Sequence, residues 1–464
     1  MQLENLEPQH IDFLISTVGA EHVSATAADR DQHARDQSFH EAHPPAAVVW
    51  PADAEEISAI LRYANENRIP VTPWGAGSSL EGNPIPVCGG IVLDLLRLDK
   101  ILAVRPDDFQ VDVQAGVRYK DMNAQLAHDG LFFAPDPGAN ASIGGMIANN
   151  AAGTRTPRYG ATKDNVLRLE LVTAAGDIIH TGSLAHKSSS AYDLTHLFIG
   201  SEGTLGVVTA ATLRLAPLPE HFSAAAASFA TTEAAARAVS GVMGSGIVPA
   251  ALEFLNTAVI RELNGVDEFS LPERPSLIME FHSATATALQ EELGLVQAIC
   301  QGENCVAFEA GLGREERDRL WRVRHQTYEI LVRANPGVAF LIVDLAVPVS
   351  RFPDLAAACQ EAMAAEQMKT YLVGHAGDGN LHPLIPYLPG DEASFARATA
   401  VHAQMVQAAL RLGGTVTAEH GVGIGKRKYM EQEHGRSLAV MQAIKRALDP
   451  NGILNPGKIF QEQP

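Results

Sequence analysis

Histidine and carboxylate side chains are concentrated in two short glycine-rich segments near the end of this 464-residue chain. The first segment carries His375 and His382, and the second carries Glu419 followed directly by His420. Two imidazoles and one carboxylate are the protein ligands of an open catalytic metal site, which keeps a position for water or substrate. A divalent Zn, Mn or Fe ion suits this ligand set, and His420 adds a titratable group beside the carboxylate.

Strands are the elements that must position these side chains. Residues 371–375 predict a strand, the next glycine-rich residues predict a hairpin turn, and His382 lies on the returning strand. A third strand, over residues 415–419, is expected to supply Glu419. A structural role is the simpler interpretation of any one of the 17 histidines. A titratable cluster in tight turns, however, is more typical of an active site.

Composition limits the classes of partner and the compartment. The formal net charge is −19, which excludes nucleic acid, because phosphate binding needs clustered Lys and Arg. The charge suits a basic protein partner or simple solubility. No apolar run is long enough to span a bilayer, and the acidic first residues are unlike a signal peptide. We therefore expect a cytoplasmic protein without an integral membrane segment, attached at most peripherally at the inner membrane.

Redox chemistry in this chain would need a bound cofactor, since its cysteines match no zinc or iron–sulfur spacing. These cysteines are Cys88, Cys300, Cys305 and Cys359. Three glycine-rich segments offer a place for such a cofactor, because small side chains permit close approach of a ligand to the backbone. They cover residues 74–82, 135–154 and 200–208, and are called the first, second and third glycine-rich segments below. Three such segments favour one extended cofactor lying over all of them.

Two common nucleotide-binding motifs do not fit. The first glycine-rich segment has Leu80 at the third glycine position of the dinucleotide fingerprint, and it links strand to strand without a following helix. Residues 421–427 contain a Gly-Lys pair but lack the spacing and the Ser or Thr of a phosphate-binding P-loop.

The remaining pattern predicts an α+β protein. Residues 53–64 predict an amphipathic helix between short strands, and residues 215–219 predict a linker. The alanine-rich residues 224–245 and 354–366 predict helices in a second α+β domain. Apolar runs at 276–281 and 339–344 predict its strands.

Taken together, these motifs resemble the FAD-dependent D-2-hydroxyacid dehydrogenases of the vanillyl-alcohol oxidase superfamily, and most closely their cytochrome-type D-lactate dehydrogenases. The resemblance covers almost all of the chain beyond about residue 40. The segments that carry it are residues 73–82, 142–145, 200–206, 375–382, 419–420 and 451–458.

The resemblance implies an α+β fold in which a two-subdomain FAD-binding domain of vanillyl-alcohol oxidase type precedes an α+β substrate-binding domain with an antiparallel sheet. The expected divisions are an N-terminal helical segment (1–40), the FAD-binding domain (41–218), the substrate-binding and metal-binding domain (219–420) and a segment returning to the flavin (421–464).

The resemblance also implies the FAD contacts. Some relatives attach FAD through a histidine in or near the first glycine-rich segment, which has none here, so noncovalent FAD is expected. The implied cofactor-binding residues are Pro73, Gly75, Ala76, Gly77, Ser78, Ser79, Pro135, Gly138, Ser142, Gly145, Asn149, Gly153, Glu202, Gly203, Val208 and Asn455.

By the same resemblance, His375, His382 and Glu419 bind the metal, His420 is the base, and Arg324 binds the carboxylate of a small 2-hydroxycarboxylate substrate. The substrate would lose its hydroxyl proton to His420 and its C2 hydride to flavin N5. Electrons would then pass to a cytochrome, quinone or electron-transfer protein rather than to NAD. A homodimer is compatible with the sequence.

Two departures narrow the substrate. Relatives specific for D-2-hydroxyglutarate typically carry Lys and Asn where this chain has Ile342 and Leu384. The pocket is therefore expected to be apolar, and D-lactate, oxidised to pyruvate, is the first choice. D-2-hydroxyglutarate or glycolate oxidation is the alternative within the family. A metal-dependent hydrolase and a noncatalytic flavin- or metal-binding subunit are the alternatives outside it.

Overall fold

The computed structural model describes residues 6–266 and 269–461. The chain divides into two compact units. The first comprises Met1–Ala152, Gly160–Leu218 and Glu419–Pro464, and the second comprises Gly153–Tyr159 and Pro219–Ala418.

A small, mostly parallel sheet forms one half of the first unit. Its strand order is Val23–Ser24, Ala47–Val49, Ile91–Asp94 and Val71–Trp74. The last three strands are parallel, and Val23–Ser24 pairs antiparallel with Ala47–Val49 at the edge. These strands are short apolar runs, as expected for parallel strands buried on both faces. As predicted, the first glycine-rich segment leaves one strand and leads to the next without an intervening α-helix.

A five-stranded antiparallel sheet forms the other half. Its order is Ile101–Arg105, Gln110–Gln114, Val207–Arg214, Val166–Val172 and Ile178–Gly182, with a separate pair of Leu131–Phe132 and Ala216–Pro217. The helices of this unit are Pro8–Val18, Ala27–Gln32, Ala54–Asn67, Tyr119–Leu126, Ile143–Asn149, Leu194–Phe198, Met430–His434 and Ser437–Leu448. The helix predicted over residues 53–64 is confirmed: Asp53 caps it by accepting a hydrogen bond from Glu56 N at 2.8 Å.

The second unit is built on one large antiparallel sheet, as the sequence predicts. Its strands run in the order Cys305–Leu312, His221–Phe229, Ser276–Ser283, Ala251–Leu255, Tyr371–His375, Asn380–Tyr387 and Ala339–Ile342, and Leu345–Ala346 also pairs with Asn380–Tyr387. Its helices are Thr156–Tyr159, Thr232–Gly244, Thr257–Leu263, Ala286–Gly302, Arg314–His325, Thr327–Ala334, Phe352–Ala365 and Glu392–Arg411. With helices and mainly antiparallel sheets in both units, the predicted α+β class is confirmed.

Two predictions of secondary structure from the sequence were wrong. The helix predicted over residues 224–245 begins only at Thr232, and residues 221–229 form a strand with neighbours on both sides. Its alanines have high helix propensity, but they are buried under the helices Ala286–Gly302 and Arg314–His325, so tertiary packing overrides that propensity. The strand predicted over residues 415–419 is reduced to a single bridge between Ala346 and Thr415.

Within the described residues, no helix combines the length and the apolar character that crossing a bilayer would require.

A buried histidine joins the N-terminal segment to the parallel sheet. His33 contacts Asp94 Oδ2 through Nε2 at 3.0 Å and the Asp29 carbonyl oxygen through Nδ1 at 2.7 Å. The indole nitrogen of Trp50 donates to the same Asp94 oxygen at 3.0 Å. Burial lowers the pKa of His33, but the hydrogen bonds to Asp94 and Asp29 outweigh this effect, so the pKa is raised above its ordinary value of 6.5.

This raised pKa predicts a pH-dependent contribution to stability. Protonated His33 stabilises the folded chain fully below pH 6.5, and the contribution is lost as the pH rises through the folded-state pKa. We expect the unfolding free energy of the wild type, measured by urea denaturation, to fall toward that of His33→Gln as the pH is raised. His22→Gln, at a side chain 29% exposed, is the matched control and should keep the wild-type profile. A constant difference between wild type and His33→Gln would contradict the prediction.

Candidate active site

The two predicted metal-binding histidines share one face of the large sheet. The hairpin places Val373 opposite His382, and His375 lies two residues beyond Val373 on the same strand. Since side chains two residues apart point to the same face, both imidazoles face the same way. Their ring centroids are 5.1 Å apart and their planes are inclined by 79°. The predicted hairpin is therefore confirmed.

Glu419 is the third member of this cluster. One ligand atom each from His375, His382 and Glu419 lies within 4.8 Å of the other two. Metal bonds to such atoms are about 2.0–2.2 Å long, so small side-chain movements would bring all three to a common ion. The donor set therefore fits a divalent cation.

Hydrogen bonds at Nδ1 orient both imidazoles. His375 Nδ1 lies 2.6 Å from Glu253 Oε1, and His382 Nδ1 lies 3.2 Å from the Val343 carbonyl oxygen. A neutral imidazole that donates from Nδ1 carries its lone pair on Nε2, the nitrogen that a metal ion would bind. Partners of this kind are typical of metal-ligating histidines.

Asp344 fixes the surroundings of the cluster. Its fully buried carboxylate accepts hydrogen bonds from Asn380 Nδ2 at 3.0 Å, Thr417 Oγ1 at 2.8 Å and Ala418 N at 2.8 Å. It therefore holds the start of the strand that carries His382 and the residues just before Glu419. Asp344 was not among the predicted site residues, although an acidic residue at the end of an apolar run was a usable signal.

Arg324, the predicted carboxylate binder, is paired with a protein carboxylate. It donates from Nε at 2.8 Å and Nη2 at 2.5 Å to Oε2 of the fully buried Glu253. Burial raises the pKa of Glu253, but the Arg324 guanidinium and the His375 imidazole beside it outweigh burial and lower the pKa to about 2. Glu253 thus links the arginine to the first histidine. Substrate binding by Arg324 stays a prediction.

Glu253 was not among the site residues predicted from the sequence. Its signal was a single acidic residue within the apolar strand Ala251–Leu255. A buried charge is costly unless it is paired, so such a residue indicates partners elsewhere in the chain. Which side chains those are was decided by the register of the sheet, which sets Glu253 opposite His375.

A second set of an arginine, a glutamate and a histidine involves the neighbouring strand, Ser276–Ser283. Arg317, seven residues before Arg324 on the helix Arg314–His325, donates to Glu280 Oε2 at 3.2 Å. The other Glu280 oxygen contacts His282 Nε2 at 2.6 Å, and His282 Nδ1 contacts the Tyr159 hydroxyl at 2.8 Å. Both ring nitrogens of His282 contact protein side chains, which indicates a structural role for this second set.

In the first unit, the structure brings the three glycine-rich segments together. A Cβ on Gly75 would overlap the hydroxyl of Ser142, and a Cβ on Gly203 would lie 2.9 Å from Pro73. Glu202 N donates to the Ala148 carbonyl oxygen at 2.9 Å. A side chain at Gly75 or Gly203 would therefore collide with Ser142 or Pro73, and the close approach of the segments allows one extended ligand to contact all three.

The other predicted cofactor-binding residues have varied positions. Residues 75–79 form the loop after the strand Val71–Trp74, and Ser79 bonds to Asn83. Ser142 caps the helix Ile143–Asn149, which contains Gly145 and ends at Asn149, whereas Val208 lies in a strand. Pro135 is buried, and Gly138 lies in the loop that follows it. Gly153 belongs to the second unit, where its N–H donates to Thr156 Oγ1 at 3.2 Å.

Two of the predicted flavin contacts also hold protein segments. The fully buried Glu202 carboxylate accepts hydrogen bonds from Val422 N at 2.7 Å and Gly423 N at 2.9 Å, just after His420. Asn455 Nδ2 donates to the Glu202 carbonyl oxygen at 2.7 Å. Burial raises the pKa of Glu202 more than these backbone hydrogen bonds lower it. These contacts position the residues after the predicted base.

His420, the predicted base, lies at the start of the part of the first unit that follows the second unit in sequence. Its carbonyl oxygen accepts a hydrogen bond from Asn149 Nδ2 at 3.3 Å, and its Nε2 lies 3.8 Å from Glu419 Oε1. The His420 side chain is nearly buried. The backbone of His420 is thus attached to the second glycine-rich segment.

Comparison with known families supports the flavin prediction. Residues 218–459 match the model of the C-terminal domain of FAD-linked oxidases, and residues 45–182 match an FAD-binding domain model. The chain belongs to the FAD-linked oxidase family. It is therefore an FAD-dependent oxidoreductase, and the alternative of a metal-dependent hydrolase is not retained.

Relatives of this FAD-linked oxidase match along most of their length. The chain is 36% identical to a probable mitochondrial D-lactate dehydrogenase of Danio rerio, over 96% of this chain and 90% of that protein. It is 37% identical to the mitochondrial D-lactate dehydrogenase [cytochrome] of Arabidopsis thaliana, over 98% and 80%. It is 35% identical to the glycolate oxidase subunit GlcD of Bacillus subtilis, over 96% of each. The predicted resemblance to D-2-hydroxyacid dehydrogenases is confirmed.

A solved structure establishes the type of fold. The 4-ethylphenol oxidase of Gulosibacter chungangensis superposes with a TM-score of 0.80, at 17% identity and over 99% of both chains. At this identity the likeness concerns the fold alone. The predicted FAD-binding fold of vanillyl-alcohol oxidase type is confirmed.

The buried Glu253 pair predicts a large loss of stability when one partner is removed. Glu253→Gln leaves the Arg324 guanidinium without its carboxylate, and we expect the unfolding free energy to fall by about 3–5 kcal/mol in urea denaturation. The double variant Glu253→Gln with Arg324→Met removes both charges and should recover much of the loss.

The control for this prediction is an exposed pair. Arg237 and Glu303 form a salt bridge at 2.7 Å with side chains 56% and 32% exposed. Arg237→Met should change the unfolding free energy by no more than about 1 kcal/mol. Equal losses for Glu253→Gln and Arg237→Met would contradict a special role for the buried carboxylate.

Proposed function

We propose that this flavoenzyme oxidises a D-2-hydroxymonocarboxylate, with D-lactate as the preferred substrate and pyruvate as the product. The observation that carries the proposal is the cluster of His375, His382 and Glu419, with His420 next to it, in an FAD-linked oxidase. An oxidase of a 2-hydroxy acid must hold a carboxylate and a hydroxyl and must remove one proton and one hydride. This cluster offers groups that could hold the carboxylate and the hydroxyl and accept the proton. FAD is the hydride acceptor of the family.

FAD would be held noncovalently by the first unit, where the three glycine-rich segments meet. Gly75, Ser142 and Gly203 mark the close approaches between those segments. Their backbone amides can contact phosphate oxygens without obstruction by side chains. When bound, FAD supplies the acceptor for the substrate hydride.

A divalent ion of Zn, Mn or Fe would be held by His375, His382 and Glu419. When bound, it supplies positive charge that attracts the substrate carboxylate and makes the hydroxyl more acidic. Glu253 and the Val343 carbonyl oxygen keep both imidazoles in the tautomer whose Nε2 can bind a metal. Asp344 holds the residues on either side of the ligand set.

His420 would accept the hydroxyl proton, and Arg324 would bind the substrate carboxylate. Glu253 contacts Nε and Nη2 of Arg324, so the guanidinium would present Nη1 to a second carboxylate. The fully paired Glu253 also prevents Arg324 from moving away. With the base and the hydride acceptor both held near the substrate, the proton and the hydride would be transferred between groups that are already in position.

The side chains beside the ligand set favour a short substrate. Leu384 follows His382 by two residues and therefore lies on the same face, and Ile342 is its cross-strand partner. Leu384 is buried, and Ile342 packs against the adjoining hydrophobic core. A second substrate carboxylate placed here would have no partner from these side chains, at a cost of several kcal/mol, on the order of 2–7. D-lactate therefore ranks above D-2-hydroxyglutarate.

Glycolate is the second candidate. The relative named glycolate oxidase subunit GlcD covers as much of this chain as one of the D-lactate dehydrogenases does. Glycolate lacks only the methyl group of lactate, and one methyl in an apolar pocket distinguishes substrates by roughly 10- to 200-fold. The apolar Ile342 and Leu384 favour the methylated substrate.

The electrons would leave FAD for a protein or quinone acceptor. The Arabidopsis relative is named for a cytochrome. The formal charge of −19 is complementary to a basic partner such as a small cytochrome.

The substrate proposal predicts a stereospecific loss of flavin absorbance. Under anaerobic conditions we expect D-lactate to bleach the flavin at least about tenfold faster than glycolate and much faster than D-2-hydroxyglutarate. L-lactate is the matched control, since it has the same groups with the opposite arrangement at C2, and should leave the spectrum unchanged. Faster bleaching by D-2-hydroxyglutarate than by D-lactate would refute the substrate assignment.

Two variants distinguish the role of the metal ligands from that of the base. His375→Ala should lose the divalent ion, measured by elemental analysis, and the bleaching reaction with it. His420→Gln should keep the ion but bleach about 10²- to 10⁴-fold more slowly, because only the base is removed. Both variants should retain flavin absorbance, which serves as the internal control. An unchanged bleaching rate in His420→Gln would exclude His420 as the base.

A further inference from the structure

Residues 421–426, called the coupling loop here, continue the chain directly after His420. They form turns without any regular helix or strand. Their sequence, Gly-Val-Gly-Ile-Gly-Lys, contains three glycines and matches no nucleotide-binding motif. Because such a loop has little secondary structure to hold it, its position depends on the side chains and backbone that it contacts.

Glu202 is one of two acidic anchors of the coupling loop. Its two carboxylate oxygens accept hydrogen bonds from Val422 N at 2.7 Å and Gly423 N at 2.9 Å. Gly421 approaches the same carboxylate so closely that a Cβ there would lie 3.0 Å from Oε1. One fully buried side chain thus fixes two successive backbone amides.

Glu81 is the other anchor. Its carbonyl oxygen accepts a hydrogen bond from Ile424 N at 2.8 Å, and its carboxylate pairs with Lys426 Nζ at 2.9 Å. Both side chains of this ion pair are buried. A Cβ on Gly423 would overlap the Glu81 carbonyl oxygen, so glycine is required there for the loop to dock.

Both anchors belong to the glycine-rich segments proposed to hold FAD. Glu81 lies in the first segment and Glu202 in the third. Asn455 joins the two sides by donating to the carbonyl oxygens of Asn83, at 3.0 Å, and Glu202, at 2.7 Å. The coupling loop is therefore attached to two of the segments proposed to hold FAD, and Glu419 and His420 directly precede it in the chain.

We propose that the coupling loop links FAD binding to the placement of Glu419 and His420, so that a chain without FAD holds its metal ligand and base less firmly. This inference rests on the proposed function for the roles of those two residues. FAD orders the first and third glycine-rich segments, the two anchors fix the loop, and the loop fixes the residues before it. By thermodynamic linkage, a divalent ion at Glu419 must favour FAD binding by the same factor.

Gly423→Ala is the most selective way to break the link. The added methyl group meets the Glu81 carbonyl oxygen, and φ of +50° disfavours a side chain as well. Gly435→Ala is a matched control, because Gly435 has φ of +51° and a Cβ there would have no neighbour within 4 Å. Both variants place a side chain at positive φ, and only Gly423→Ala also disturbs the contact with Glu81.

Hydrogen–deuterium exchange of the intact protein, with and without FAD and with no metal or substrate, tests the link. In the wild type and in Gly435→Ala, FAD should slow exchange of the Val422, Gly423 and Ile424 amides about tenfold. In Gly423→Ala, at saturating FAD, the protection should fall below about twofold. Should Gly423→Ala fail to fold, Glu202→Gln, which preserves side-chain volume, provides the same comparison.

A second measurement uses Mn²⁺ alone as the probe. We expect the wild type to bind Mn²⁺ about tenfold more tightly with FAD than without it, and Gly423→Ala to lose this difference. Equal exchange of the loop with and without FAD in the wild type would overturn the proposal, as would full protection in both Gly423→Ala and Glu202→Gln. Absence of Mn²⁺ binding in every form would refute the metal site of the proposed function, while the exchange result would still decide the link.

Discussion

The polar site of the second unit depends on the pairing of a buried carboxylate. Glu253 lies in the middle of an apolar sheet, where an unpaired charge would be strongly unfavourable. It is stabilised by Arg324 from a covering helix and by His375 from the adjacent strand. The same two contacts that make burial tolerable also set the tautomer of one proposed metal ligand and the position of the proposed substrate arginine. Stability and function therefore rest on one side chain.

Buried acidic residues organise the rest of the site in the same way. Asp344 fixes the backbone and side chains around His382 and Glu419 by accepting hydrogen bonds from three residues. In the first unit, Glu202 and Glu81 do the same for the loop after His420. None of these carboxylates needs to contact substrate. Each buried carboxylate is stabilised by hydrogen bonds or an ion pair, and the same interactions hold a chain segment that has no regular secondary structure.

The sequence predicted the fold well where local patterns and tertiary packing agree. The helix capped by Asp53 and the hairpin that carries both histidines followed from capping and turn residues. The prediction failed for residues 224–227, because alanine favours a helix locally while a central strand needs small side chains beneath packed helices. It failed again at residues 415–419, where Asp344 and a single bridge hold the chain in place of a ladder.

By itself, the sequence determined which residue types do the chemistry: histidines and a glutamate in tight turns, and three glycine-rich segments for an extended cofactor. These features are local, because a glycine or a turn acts through its own backbone. Only the tertiary structure decided which carboxylates support them. Glu253 lies 122 residues from His375, and Glu202 lies 220 residues from Val422. Such pairs are created by strand register and loop docking, and the need to pair every buried charge then determines where the functional side chains point.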